Sequence, residues 1–565
     1  MKQIWIAILA STLVLAGCGQ SDAPDSKTID DQPARAAGTS PSNAFIDRID
    51  RDTAYAYVNL ERLPSHVIDK IWAVNDATSA ANDSLLDALA EDDEVSTEMR
   101  ALVAEITELA TREGWENAGL HANPTYAIHS VSLFPFVHLE LSDNDRFEAL
   151  IQRVEARLDK PLPRRDVDGV SIIWFEFEPG FGIALQHSEN AATLALIPDD
   201  PTMLARLAGL TGPALPMDVK TLDAFNAETG LTAYGSGFLD WRLLVAELLN
   251  PDSMLARIGG SEALEQLRAT PACAVELDAL TTAIPRVVFG YSRLNASNAD
   301  FLTRIETSPA IGQGLMPIAQ APVSIDRPLT GLFNLGMAFD LVAAREFGRS
   351  MVDGWVENPP TCPAFEGIAE NAATLQQGLN RPIPPMITNL QGVFLAADEL
   401  EMADNAIPAG GGTLSFYMRN PQLLVGMAEL FSPAVAELQL QPGSEPQKVP
   451  NEALPQLQAL NLDAWIAMAE NAIGIAVGEK HIPALKNTLE AARPDDLLIA
   501  GKFDFDMLVE LMDMVGSQLD DEVRLQAIEG QRAQYEVLAR YYDMAGLKIR
   551  MTPGGVDFVA ETVLK

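Results

Sequence analysis

Three histidines, His121, His129 and His138, fall within 18 residues of each other in a chain that has only six. Three neutral imidazoles and a water would complete a catalytic zinc tetrahedron. The spacing argues against it, because His129 and His138 fall on separate strand segments either side of Pro135. They read instead as strand-lining or surface side chains. Asp166-Val167-Asp168-Gly169 starts like a calcium loop, but Ile172, Ile173 and Trp174 stand where later oxygen ligands are needed, so it reads as a turn. Gly410-Gly411-Gly412 has no following lysine to hold a phosphate and reads as a flexible lead-in to a strand at Thr413. The chain has no Gly-x-Ser-x-Gly elbow, Ser-x-x-Lys pair or His-Glu-x-x-His helix. Gly290-Tyr291-Ser292 continues with Arg293-Leu294 instead. Carboxylates are so numerous that no acid–base pair stands out. The expectation is a protein without catalytic activity, metal or cofactor.

Cysteine chemistry is more informative. Cys18 follows Leu15-Ala16-Gly17 at the end of the apolar run Ile4–Leu15, behind the single charge of Lys2. A basic start, a short apolar segment and small residues at the cut form a secretory signal, too short to span roughly 30 Å of hydrocarbon. The stretch resembles the lipobox of bacterial lipoproteins. That resemblance implies cleavage after Gly17 and a lipid on the sulfur of Cys18, which becomes the new N-terminus. Gly19 stands where an aspartate would resemble an inner-membrane retention signal. The resemblance therefore implies the periplasmic face of the outer membrane. Cys273 and Cys362 remain, and in an oxidising compartment they are expected to form a disulfide; two separately buried thiols are the alternative.

The net charge of −40 repels phosphates and anionic headgroups, so nucleic acid is not an expected partner and the membrane is held through the lipid alone. Hydrophobic residues make up 48% and charged ones 21%, the balance of a globular chain long enough for more than one domain.

The elements that would position any site begin after a tether. Residues 1–17 read as the signal and 18–45 as the lipidated cysteine and a flexible Ser/Asp/Pro/Ala/Gly segment with a reach of roughly 25–30 Å. Thr53–Leu60 reads as a strand, and apolar residues from Thr97 to Arg112 recur at helical spacing. Strands are expected at Tyr126–Leu133 and Phe136–Leu141, interrupted by Pro135, with Asn144 capping a helix Arg146–Leu158. A meander over Val170–Ile197 follows, its turns at Asp168-Gly169 and Glu178-Pro179-Gly180. An alternating strand, an aspartate and an apolar helix then recur, with Asp240, Asp340 and Asp506 at the helix starts. Each half closes in a hairpin, near 286–306 and 547–563. The reading is α+β: two related domains, 46–312 and 329–565, joined by a linker at 313–328. Each is expected to be mostly antiparallel sheet with helices packed on one face, the product of an internal duplication.

Asn144-Asp145, Gly169-Val170 and the repeated aspartate caps, behind a lipobox, resemble uncharacterised exported proteins and lipoproteins of proteobacteria, in families defined by a domain of unknown function. That implies kinship of fold and no activity. Three functions follow in order: a periplasm-facing binding or scaffold lipoprotein whose partner is an envelope protein; a carrier of lipid or another apolar ligand; and a hydrolase with scattered catalytic residues. For the carrier, Phe134, Phe136, Trp174, Phe175 and Phe177 are the aromatics that would line a cavity. Several hundred Å3 of continuous apolar cavity would favour it.

Overall fold

The computed structural model describes residues 43–77, 105, 107–257, 262–319, 325–402, 408–431, 433–438, 440–450, 453, 462–490, 496–516 and 522–565. Cys18, the tether up to residue 42 and most of the helix expected from Thr97 lie outside the described residues, as does the side chain of Phe177. The chain forms two compact units that divide between Thr303 and Arg304.

The first unit includes β1 (Tyr55–Val58), β2 (Tyr126–Val131), β3 (Phe134–Glu140), α1 (Asn144–Leu158), β4 (Arg164–Val167), β5 (Val170–Glu178), β6 (Phe181–Ser188), β7 (Ala191–Pro198), β8 (Ser236–Asp240), α2 (Trp241–Leu249) and β9 (Arg286–Leu294), with further helices such as Pro201–Leu207 and Pro271–Ala283. Every pairing is antiparallel, in the order β9-β8-β1-β2-β3-β7-β6-β5-β4. The meander is set by local chemistry. Asp168 and Gly169 both take positive φ, 50° and 87°, as a two-residue hairpin turn requires, and Gly169 N–H donates to Asp166 Oδ1 at 3.1 Å. Pro135 lies inside β3 and does not interrupt it. It faces Ser130 next to the hairpin turn, and pairing with β7 starts only at Phe136, so its missing N–H leaves the β7 ladder intact. Asp143, not Asn144, caps α1, accepting from the N–H groups of Asp145 and Arg146.

Helices cover both faces of this sheet, not one. Met203, Leu204 and Leu207 pack on Ile172, Trp174 and Ala195, while Phe147, Leu150 and Ile151 of α1 pack on Ile173 and Leu185 of the opposite face. Strands apolar at consecutive positions, such as Ile172-Ile173, need cover on both sides.

β10 (Asn298–Glu306) carries the chain across the division, and residues 309–319, where the linker was expected to start, are helical. The second unit contains β11 (Phe333–Ala338), α3 (Leu341–Glu357), β12 (Leu390–Met402), β13 (Pro408–Met418), α4 (Gln422–Phe431), β14 (Gln447–Lys448), β15 (Ala464–Met468), β16 (Ala472–Val477), α5 (Ile482–Leu489), β17 (Leu497–Asp504), α6 (Phe505–Gly516), β18 (Tyr542–Thr552) and β19 (Gly555–Leu564). Its strands are also antiparallel, ordered β19-β18-β17-β11-β12-β13-β16-β15-β14. One face packs Ala338, Phe394, Ala396 and Ala500 against Leu485 and Leu489 of α5. The glycine triplet is not a flexible lead-in but part of β13. A side chain at Gly411 would collide with Glu399 Oε1 and His481 Nε2, and His481 Nδ1 in turn lies 2.8 Å from Asp398.

Candidate functional site

The opposite face of the second sheet is covered at one end, where Val425 of α4 packs with Met418, Met468 and Ile473, and is partly exposed at the other. Cross-strand partners Leu547, Gly501, Leu335, Leu395, Leu414 and Ile475 form one continuous apolar row on it. Leu335 and Leu547 remain 43% and 41% exposed, far more than core leucines. The row follows from strand alternation. In β17 a bulge between Leu497 and Ile499 shifts the phase, after which Ile499, Gly501 and Phe503 point to this face while Ala500 and Lys502 point to the core.

Helix α6 roofs this region. Met507, Leu508, Leu511 and Met514 recur at helical spacing toward the sheet, with Asp506, Glu510 and Asp513 exposed on the other side. Asp504, the last residue of β17, fixes where the helix starts by accepting from the N–H of Asp506 at 2.7 Å. The sequence pattern assigns this cap to Asp506, but the carboxylate two residues back is the one that accepts from a free N–H of the first turn. Burial, with Asp506 and Asp543 nearby, raises the Asp504 carboxyl above its ordinary range.

Sheet and helix flank a solvent-open cavity of about 520 Å3, lined by Phe333, Leu335, Gly501, Phe503, Leu547 and the α6 stripe among others. Asn334 and Lys502 are its polar neighbours, and both turn their heads away. Asn334 Nδ2 donates to the carbonyls of Arg327 and Pro328, and Lys502 Nζ donates to Asp326 at 2.7 Å and to the Arg327 carbonyl at 2.8 Å. Lys548 completes that network, 2.9 Å from Asp326 and 2.8 Å from Glu561. These carboxylates raise its pKa against the opposing effect of burial. The charge is consumed on the core face, and the cavity is left with hydrocarbon and thioether. Such a lining can desolvate an apolar chain.

The histidines do not form a metal site. His129 Nε2 and His138 Nε2 stand 3.0 Å apart, buried, whereas His121 binds elsewhere, to Arg62 and the N–H of Asn123. Among the described residues no cluster of His, Cys, Asp and Glu is arranged to hold a metal. One proton pattern satisfies the whole chain of bonds. Thr193 Oγ1–H donates to His138 Nδ1, His138 Nε2–H to His129 Nε2, and His129 Nδ1–H to the Ser130 carbonyl, over 2.9, 3.0 and 3.3 Å. Both rings are then neutral. Burial pulls His129 down to about 4 and His138 well below its ordinary value.

Of the aromatics proposed for a cavity, Phe134, Phe136 and Trp174 belong to a sealed core, and Phe175 stands 40% exposed. Cys273 and Cys362 are both buried and both disulfide-bonded. Cys18 lies outside the described residues. No helix among the described residues is long and apolar enough to cross a membrane.

No known protein family, curated protein or solved structure matches this chain.

The cavity residues were not singled out from the sequence. A signal existed: Gly501 lies inside a strand, where glycine marks a place kept clear. The Met/Leu stripe of α6 is the second clue, since methionine adapts to irregular apolar partners.

Proposed function

We propose that this protein is a lipid-anchored envelope protein, without catalytic activity, that binds the hydrocarbon part of an apolar ligand in the cavity of its second unit. The observation that carries the reading is the cavity itself. Its volume falls within the roughly 300–1,000 Å3 of small-molecule sites, and its polar neighbours point away from it. Each methylene taken from water into it contributes about 0.8 kcal/mol. The lipobox supports a location where such ligands are at hand, and the disulfide supports an oxidising compartment. Cys18→Ser is expected to abolish metabolic labelling with a tagged fatty acid; equal labelling of mutant and wild type would refute the anchor.

The two units are read as copies of one ancestral domain. The support is their strand order: replacing β9-β8-β1-β2-β3-β7-β6-β5 by β18-β17-β11-β12-β13-β16-β15-β14 reproduces the second sheet from the first. Asp240 and Asp504 cap equivalent helices at the ends of equivalent strands.

Titration with a fluorescent polyene fatty acid tests the binding reading. Saturable fluorescence enhancement, weakened at least tenfold by Gly501→Leu, is expected; its absence in wild type would refute the reading. A side chain at Gly501 meets little beyond Leu335 Cδ1 at 3.3 Å, so leucine there projects into the cavity without striking backbone.

A further inference from the structure

If the units are copies, the cavity should have a counterpart in the first unit, and the registers locate it. In the second unit Gly501 pairs with Leu547 on one side and Leu335 on the other, and Leu335 pairs with Leu395. In the first, Gly237 pairs with Phe289 and Tyr57, and Tyr57 pairs with Ile128. The alignment has an independent check: Gly237 and Gly501 each stand three residues before the aspartate that caps the next helix.

The two places differ in what fills them. Around Gly501 the nearest side-chain atom to a would-be Cβ is Leu335 Cδ1 at 3.3 Å. Around Gly237 the same atom would lie 2.4 Å from the Ala56 carbonyl oxygen, 2.8 Å from Tyr57 Cδ2 and 3.0 Å from Phe289 Cε2. Those rings stack with centroids 5.7 Å apart, and Tyr126 lies against Tyr57 at the same distance. Tyr57 is 6% exposed where its counterpart Leu335 is 43% exposed. The glycine is kept in both units, but in the first its clearance is taken up by the Ala56 carbonyl and by the protein's own aromatic rings.

We infer that the chain binds one hydrocarbon ligand, in the second unit only, and that Tyr57 and Phe289 are a built-in plug in the equivalent volume of the first. This rests on the binding reading above and adds which unit holds the ligand and the residues that decide it. Leu335 and Leu547 are the specificity-determining pair: their small, flexible side chains leave open what two rings close. Ring-against-ring packing adds to burial, so the plugged unit gains rigidity where the open one keeps a site.

Native mass spectrometry of the full chain with oleate tests the inference. One oleate per wild-type chain is expected, with at least tenfold weaker binding in Leu335→Tyr/Leu547→Phe. Leu547→Phe alone should be weakened in the same direction and serves if the double variant does not fold. A diazirine analogue of oleate should label peptides of β17 and α6. Two oleates per chain, labelling at Tyr57 or Phe289, or undiminished binding by the folded variants would overturn the inference while leaving hydrocarbon binding intact. No oleate bound by wild type would instead defeat the binding reading, and the inference with it.

Discussion

The buried histidine pair makes the first unit sensitive to acid in a window where carboxylates are still silent. His129 titrates near 6.5 in an unfolded chain and near 4 when folded. Between those values the unfolded state binds the extra proton, so stability rises with pH and is fully present only above about 6.5. Integrating this difference, His129 alone removes about 2 kcal/mol between pH 8 and pH 5, and about 3 kcal/mol by pH 4. His138 is shifted in the same direction and adds to the loss. Charged neighbours do not rescue the protonated form: Arg48 and Arg206 oppose it and only Asp50 favours it. The cost is therefore one of desolvation: with one ring charged, Thr193 Oγ1 can turn to accept from His138 Nδ1–H and the bonds to His129 and Ser130 persist. Urea unfolding followed by tryptophan fluorescence at pH 8, 6.5, 5.5 and 5 measures the effect. The midpoint should fall steadily below pH 6.5, and His129→Gln/His138→Gln should flatten that fall whatever its own stability. An equal slope in wild type and double variant, or a wild-type midpoint unchanged from pH 8 to 5, would refute the reasoning.

Three other outcomes follow from the geometry. Asp240→Ala and Asp504→Ala should each lower stability by about 1 kcal/mol through loss of a helix cap, while Asp506→Ala, lacking that role, should cost much less; thermal denaturation compares them. Cys273→Ser/Cys362→Ser, which opens a loop of nearly 90 residues, should lose roughly 4–5 kcal/mol in the chain-entropy account. Non-reducing peptide mapping should recover the two cysteines linked, and free alkylatable thiols would contradict that. Lys548→Met removes a buried cation from Glu561, itself buried, and from Asp326, which keeps Lys502. It should destabilise by about 3–5 kcal/mol, read from the urea midpoint.

Local chemistry made much of the fold legible. Asp168-Gly169 specified its turn because both positions need positive φ, and the strand–aspartate–helix units were readable because capping acts over one turn. The misassignments share a cause in contacts beyond that range. Pro135 was read as a break because its harmlessness depends on where β7 starts to pair. Gly410-Gly411-Gly412 was read as loose because the collision that requires glycine involves His481, some 70 residues away. Asp504 ends β17 and Asp506 stands two residues beyond it, and only the position where the strand ends selects the cap. The cavity was the least legible feature. Leu335, Gly501 and Leu547 come from three separate strands, and nothing local distinguishes a leucine that lines a space from one that fills it. The aromatic cluster at 134–177 drew attention through residue type, yet Phe134, Phe136 and Trp174 are sealed core.

The central claim is that the cavity under α6 holds hydrocarbon. Mass spectrometry of the lipid extract from protein purified out of the envelope tests it most directly, with the Gly501→Leu variant prepared in parallel. The account predicts a co-purifying species with a long alkyl chain, near one per chain in wild type and depleted in the variant. Wild-type protein free of such a species, or an equal amount carried by a folded Gly501→Leu, would contradict it.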